Sequence, residues 1–168
     1  MFILVMLVKN RHSTFSEGIM KLGEGINAIV YDNHDGTVTR ISKTTDDGFM
    51  ALLSIGSEDR DKYDVVKILG HSITNGIGSY MLEKCYPVPK DRMEILKGNW
   101  SFINDFHKLP FQIADVELSQ CVNKAILLFR LVNKSGMKVN DLDLSPSNIM
   151  LSKSGKLVIT DPFSTICK

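Results

Sequence analysis

Cysteine is scarce in this chain, and its spacing excludes two classes of small protein. Only three of the 168 residues are cysteines, and no two of them form a C-x-x-C pair. Disulfide-stapled domains and cysteine-ligated zinc sites both need closely patterned cysteines, so we predict neither. The four histidines also lack the spacing of metal ligands. The residues in question are Cys85, Cys121, Cys167, His12, His34, His71 and His107. We therefore expect a reducing, cytoplasmic setting.

The sequence also lacks an excess of charge of either sign. Lysine and arginine total 20 against 19 aspartates and glutamates, which gives a formal net charge of +1. A chain with so little net charge has no global field that would attract it to nucleic acid or to a membrane surface. We therefore expect neither of them as a partner, and the length fits a single domain.

Long apolar runs are absent, apart from a short one at the start. Residues 1–8 are apolar, but they are too few to span a bilayer and lack the flanking signals of a secretory peptide. We expect a buried edge strand there. A signal-peptide remnant and a mobile hydrophobic arm are the alternatives.

The first half of the chain is patterned as short strands around one helix. Residues 19–31 have the pattern of strand, glycine turn and strand, and residues 37–41 alternate as a third strand, which predicts an antiparallel meander. Residues 44–47 form a helix-start signal, and Gly56 is the expected stop. Two later strands, separated by a loop that contains Asn75 and Gly76, are predicted at residues 64–69 and 78–83.

Helical patterns dominate the second half. Residues 91–94 have capping-box spacing ahead of a short helix that ends at Gly98, and residues 99–109 predict another. The strongest helix follows Asp115, because apolar residues then recur every three or four positions as far as Gly136. They are Leu118, Cys121, Val122, Ala125, Leu128, Phe129 and Val132. Residues 148–151 and 156–160 predict a closing hairpin, so the expected fold class is α+β.

Three polar side chains flank this last hairpin at fixed offsets. Asp143 lies five residues before Asn148, and Asp161 follows the second strand of the hairpin. Carboxylate and amide oxygens, with phosphate and water oxygens, are the ligands that Mg²⁺ prefers. The spacing therefore predicts that the three side chains surround one Mg-nucleotide. Turn chemistry is the alternative, since Asp and Asn also stabilise loops through backbone hydrogen bonds.

A glycine-rich turn and a cation lie upstream of these residues. Gly23 and Gly25 occur between the first two strands, in the sequence L-G-E-G-I-N-A-I-V-Y. Glycine lets backbone N–H groups approach phosphates without a Cβ in the way, although a plain hairpin turn has the same composition. Arg40 is a cation on the third strand, and Lys43 takes its position if the strand register is shifted.

Together these motifs resemble those of the protein kinase superfamily. The glycine segment is similar to L-G-x-G-x-x-G-x-V-Y, with Ala28 for the third glycine, and Arg40 aligns with the lysine of V-A-I-K. The D-L-D-L-S-P-S-N segment is similar to H-R-D-x-x-x-x-N, with Asp141 in place of His. In the segment that resembles D-F-G, Pro162 and Phe163 replace Phe-Gly.

The resemblance implies a minimal kinase-like fold in one domain. An antiparallel-sheet N-lobe would occupy residues 1–84, and a truncated, mainly helical C-lobe would occupy residues 85–168. Kinases pair the strand cation with a glutamate on the next helix, but this helix offers only Asp46 and Asp47 at its start, so we expect that ion pair to be missing. The implied roles are catalysis by Asp143, Asn148 and Arg40, Mg²⁺ ligation by Asn148 and Asp161, and ATP binding by Gly23, Gly25, Arg40, Lys43, Glu83 and Cys85.

Within the superfamily, the chain is most similar to the early-expressed serine/threonine kinases of T7-like bacteriophages. The similarity covers the glycine loop, the Asn-Ile-Met strand that begins at Asn148 and the Ile-Thr-Asp-Pro segment that ends at Pro162. It implies ATP-dependent phosphorylation of host proteins in the cytoplasm of an infected bacterium. A pseudokinase that binds nucleotide and inhibits a host protein is the first alternative, and a small-molecule phosphotransferase of the aminoglycoside-kinase type is the second. Both a monomer and a dimer fit the sequence.

Overall fold

A computed structural model describes residues 20–98, 115–137, 139 and 141–164. It is a mixed structure with a five-stranded antiparallel sheet and few helices, which confirms the α+β prediction. The predicted edge strand at residues 1–8 and the predicted helix at residues 99–109 lie outside the described residues. The division into two lobes at residues 84 and 85 stays a prediction.

The five-stranded sheet has the order β1-β2-β3-β5-β4, and every neighbouring pair is antiparallel. The predicted meander supplies its first three strands. The chain reverses between the second and third through His34 and Gly36, whose φ angles of 60° and 84° suit a tight turn. The strands are β1 (Met20–Glu24), β2 (Ala28–Asp32), β3 (Thr37–Thr45), β4 (Ile68–Thr74) and β5 (Ile77–Glu83).

The fourth strand is displaced from its predicted position. We expected residues 64–69, but β4 begins at Ile68 and continues to Thr74. The cause is the turn at Asn75 and Gly76, whose φ angles of 53° and 80° form a tight hairpin and pair Thr74 directly with Ile77. Asp64, with a φ of 51°, lies before the strand in the left-handed conformation.

One face of the sheet packs against α1 (Asp47–Ser54). Val38, Arg40 and Ser42 alternate onto this face from β3 and are buried, as are Tyr80 and Leu82 from β5. The helix begins where the sequence predicted, because the Asp46 side chain accepts a hydrogen bond from the Phe49 N–H and so caps it. The Phe49 ring then stacks at 4.7 Å from the Tyr80 ring, in a small apolar cluster.

A larger core surrounds α4 (Val116–Lys134), the helix predicted most strongly. Asp115 caps it, and Gly136 follows its end with a φ of 85°. Six of the seven predicted stripe residues are buried, Phe129 is half-buried, and Ile126, which the stripe omitted, is 1% exposed. Ala51 and Leu52 of α1 pack into the same core, which therefore joins the sheet half to the helical half.

Short strands and two further helices complete the described structure, and the first of these helices is α2 (Ser57–Arg60). The strand order β6-β8-β9 forms a small sheet, and β7 pairs with β10. The predicted hairpin is confirmed, with Gly155 at a φ of 81° in its turn. Asn148, however, lies in the 3-10 turn Pro146–Asn148 and not in the strand. The elements are β6 (Tyr86–Pro87), α3 (Lys90–Gly98), β7 (Asp141–Leu142), β8 (Ile149–Leu151), β9 (Leu157–Ile159) and β10 (Phe163–Ser164).

None of the helices in the described ranges is long and apolar enough to cross a membrane.

Candidate active site

A buried cation lies between two carboxylates from distant parts of the chain. Arg40 points from β3 toward α1 and is 5% exposed. Its Nη1 forms an ion pair with Asp46 Oδ2, and its Nη2 lies 3.1 Å from Asp161 Oδ2. The guanidinium carbon is also 4.1 Å from the centre of the Phe49 ring, within the range of a cation–π contact. Arg40 is therefore fixed on three sides.

The expectation that Arg40 lacks an acidic partner is wrong. Its partner is Asp46, the capping residue of α1, whereas Asp47 is exposed in the first turn. The kinase motifs predict a glutamate inside the helix, but β3 leads almost directly into α1. The cap therefore lies close to the inward face of the strand. The local signal was present in the sequence, since an aspartate follows Arg40 by six residues at a helix start.

The segment from Asp143 to Asn148 is held against the segment that contains Asp161. The Asp143 N–H donates to the Pro162 carbonyl at 2.8 Å. The Asn148 side-chain N–H₂ donates to the Asp161 carbonyl at 3.0 Å and to the Asp143 carbonyl at 3.4 Å. These bonds bring together the three polar residues that the spacing had grouped. Arg40 joins the same cluster through Asp161.

Hydrogen bonding assigns different tasks to the oxygens of this cluster. Asp143 Oδ1 accepts from the Ser145 N–H at 3.0 Å, as in an Asx turn, so turn chemistry contributes here. Asp143 Oδ2, Asn148 Oδ1 and Asp161 Oδ1 accept no hydrogen bond from the described residues. Because the Asn148 nitrogen is used by carbonyls, its side-chain oxygen is left for another ligand.

The environment of Asp161 opposes its negative charge. The pKa of Asp161 is raised to about 6, chiefly by burial and also by the charges of Asp46 and Asp143, although the Arg40 guanidinium acts to lower it. At pH 7 the carboxylate is therefore still ionised but poorly stabilised. A divalent cation beside it would relieve that unfavourable charge. Burial likewise raises the pKa of the nearby Tyr80 hydroxyl to about 12.

The donor set fits Mg²⁺ better than it fits a softer metal. Three or more His, Cys, Asp or Glu side chains do not meet with metal-binding geometry anywhere in the described ranges. Mg²⁺ needs fewer protein ligands, because it usually takes one or two carboxylates and completes its shell with phosphate and water oxygens. Asp161 and Asn148 offer one carboxylate oxygen and one amide oxygen of this kind.

The glycine turn carries a second cation. Lys43 forms an ion pair with Glu24, and its Nζ donates to the Gly25 carbonyl at 3.0 Å. Lys21 also pairs with Glu24, and the two lysines lower the pKa of Glu24 to about 2. Lys43 is about one third exposed, whereas Arg40 is buried. The two alternatives for the phosphate ligand therefore differ in depth, with Arg40 as the inner cation and Lys43 as the outer cation.

Packing inside the chain does not require the glycines of this turn. A Cβ at Gly23 would meet no described atom within 4 Å, and one at Gly25 would only touch the Ala28 carbonyl at 4.0 Å. Neither glycine has a positive φ. A role toward a ligand is therefore consistent with these positions, and a tight turn is not the reason for glycine at either one.

Glu83 and Cys85 lie apart from the charged cluster. The Glu83 N–H donates to the Lys67 carbonyl at 3.0 Å, and its carboxylate accepts from the Lys153 N–H at 3.3 Å. Both residues line a cavity of about 490 Å³ that includes none of Arg40, Asp143, Asn148 and Asp161. Burial raises the pKa of the Cys85 thiol to about 11. Their roles in ATP binding stay predictions, and any such role involves backbone groups that those bonds leave available.

Comparison with protein-family models and with curated proteins finds no match for the chain. The assignment of a function therefore depends on the sequence motifs and on the geometry of this cluster.

Proposed function

We propose that the chain is an ATP-dependent serine/threonine protein kinase that phosphorylates host proteins in a phage-infected bacterium. One observation carries the proposal. Arg40 contacts Asp161 at 3.1 Å, although 121 residues separate them, and Asn148 and Asp143 lie beside that contact. The kinase motifs place four groups in one site, which follow one another along the chain as a strand cation, a catalytic aspartate, an amide and a metal carboxylate. The same four residue types meet here in the same order along the chain.

The roles follow from the atoms that remain available. Asp143 Oδ2 accepts the proton of a serine or threonine hydroxyl, while Oδ1 holds the loop through Ser145. Asn148 and Asp161 hold Mg²⁺ through their unused oxygens. When bound, Mg²⁺ supplies neutralisation of the charge on the phosphate oxygens. Lys43 and the glycine turn at Gly23 and Gly25 bind the phosphates of ATP, which requires the Gly25 N–H to exchange the Ala28 carbonyl, now at 2.9 Å, for a phosphate oxygen.

A second candidate function is a pseudokinase that binds nucleotide and inhibits a host protein by direct contact. One observation favours it. The charge of Arg40 is already matched by two carboxylates, and the side chain is almost completely buried, so it offers little to a phosphate. In an active enzyme the outer cation, Lys43, has to exchange Glu24 for phosphate oxygens.

Transfer of radiolabelled phosphate from ATP to proteins of a bacterial lysate separates the two candidates. We expect the wild type to label host bands and Asp161→Asn to label none. Asp143→Asn should cut turnover by roughly 100- to 10,000-fold while its affinity for Mg-ATP stays near that of the wild type.

Asp141→Asn is the matched control for Asp143→Asn. Asp141 is two residues away and exposed, and among the described residues its side chain accepts only from the local Leu142 N–H at 2.8 Å. Its variant should retain activity. Growth of bacteria that express each variant is the second measurement. If Asp143→Asn still inhibits growth and no host protein is labelled in any of these strains, the result supports the pseudokinase and contradicts the kinase.

A further inference from the structure

Asp46 has two oxygens with two separate tasks. Oδ1 accepts from the Phe49 N–H at 3.0 Å and caps α1, while Oδ2 pairs with Arg40 Nη1. The side chain is 2% exposed, so water screens neither interaction. Asp46→Asn therefore removes the charge from the ion pair and keeps an oxygen that can accept the capping bond.

Asp46 and Asp161 share one cation. The guanidinium of Arg40 presents Nη1 to the first and Nη2 to the second, and the Phe49 ring lies against its face. Any part of the Arg40 charge that Asp46 neutralises is not available to Asp161. Arg40 holds Asp161 Oδ2 and leaves Oδ1 for Mg²⁺, but both cations draw on the charge of the same carboxylate. The charge on Asp46 therefore favours the metal, because it leaves more of the Asp161 charge for Mg²⁺.

We propose that Asp46 is a positioning residue that acts through Arg40 to set the affinity of Asp161 for Mg²⁺. The inference depends on the proposed function, because it assigns Asp161 as the metal ligand. Neutralising Asp46 leaves Arg40 with Asp161 as its only carboxylate partner. The Arg40–Asp161 contact then tightens and neutralises more of the carboxylate charge, so a higher Mg²⁺ concentration is needed to occupy Asp161 Oδ1.

The test is a calorimetric titration of Mg²⁺ into the purified chain, with the Mg²⁺ dependence of phosphate transfer as a second readout. Asp46→Asn keeps a good capping side chain, and we expect it to weaken Mg²⁺ binding by roughly 5- to 150-fold, the usual range of coupling between two sites. Asp47→Asn, which changes an exposed charge one residue along, should leave Mg²⁺ binding unchanged.

A double-variant comparison shows whether the effect passes through Arg40. In the Arg40→Met background, Asp46→Asn should change Mg²⁺ affinity much less than it does in the wild type. An equal change in both backgrounds would mean that Asp46 acts directly, and would overturn the proposal. A cooperatively folded Asp46→Asn with wild-type Mg²⁺ affinity would overturn it as well.

The remaining outcomes are also decisive. If Asp46→Asn does not melt cooperatively, Asp46→Ser replaces it, and failure of both variants to fold would show that Asp46 only supports the helix. If the wild type binds no Mg²⁺ and transfers no phosphate, the proposed function fails and this inference fails with it. Wild-type binding and transfer with an unaffected Asp46→Asn would overturn the inference alone.

Discussion

Replacing Arg40 with methionine should destabilise the fold far more than the loss of an ordinary surface charge. Methionine fills a similar volume but leaves Asp46, which is 2% exposed, without its cation. Removing one partner of a buried ion pair typically costs about 3–5 kcal/mol, because the other charge stays buried without compensation. Whole domains are stable by only about 5–15 kcal/mol, so this is a large fraction of the total.

The sign of a second substitution tests the same reasoning more sharply. Asp46→Asn should destabilise the wild type, because it removes the charge that pairs with Arg40. In the Arg40→Met background it should instead stabilise the protein, because it removes the uncompensated charge and keeps the capping bond to the Phe49 N–H. The double variant is therefore expected to recover about half of the loss or more.

Urea denaturation at pH 7 measures these changes, with the unfolding free energy extrapolated to water. Arg130→Met is the control, since Arg130 is exposed on α4. It should change the unfolding free energy by no more than about 0.5 kcal/mol. The reasoning is refuted if Arg40→Met stays within about 1 kcal/mol of the wild type, well below the expected loss, or if the double variant is less stable than Arg40→Met.

Two further predictions concern packing and pH. Gly78→Ala should lower the unfolding free energy by about 1–3 kcal/mol, because its Cβ would lie 2.1 Å from the buried Tyr80 hydroxyl oxygen. Gly70→Ala is the control, since its Cβ would lie 3.5 Å from the end of the Met81 side chain. Equal melting temperatures for the two variants would contradict the prediction. Arg92 lowers the pKa of Asp115, so their pair stabilises the fold fully above the ordinary pKa of 3.8, and this stabilisation is lost as the pH falls through the lowered pKa of the folded state. Asp115→Asn should thus cost roughly 1–2 kcal/mol at pH 7. A deficit in unfolding free energy that does not shrink as the pH falls below 3.8 would count against this pair as its cause.

Local signals in the sequence were sufficient for most of the fold. The meander, the capped helix after Asp46 and the long helix after Asp115 depend on turn residues, caps and periodicity within each segment. The position of β4 does not depend on such local signals. Its second half is exposed and, apart from Ile73, polar, and its pairing is imposed by β5 across the Asn75–Gly76 turn. An edge strand of this kind has no apolar alternation of its own to reveal it.

The candidate site was predictable where spacing along the chain decides it. Asp143, Asn148 and Asp161 flank one hairpin, so their grouping follows from local geometry. The contact between Arg40 and Asp161 spans 121 residues and follows only if both halves are placed correctly. The pair with Asp46 was missed for a different reason, since the prediction required a glutamate inside the helix and not an acid at its cap.

The choice of arginine over lysine at position 40 is explained by where its partners lie. Asp46 is a short side chain fixed by its own capping bond, and Asp161 comes from another element, so the two carboxylates meet different sides of the cation. A planar guanidinium can donate from two nitrogens to two separate carboxylates and can stack on Phe49, whereas a compact ammonium cannot do so in a fixed geometry. Arginine at position 40 and aspartate at the helix cap are therefore matched, because the cap carboxylate takes one nitrogen of the guanidinium and Asp161 takes the other.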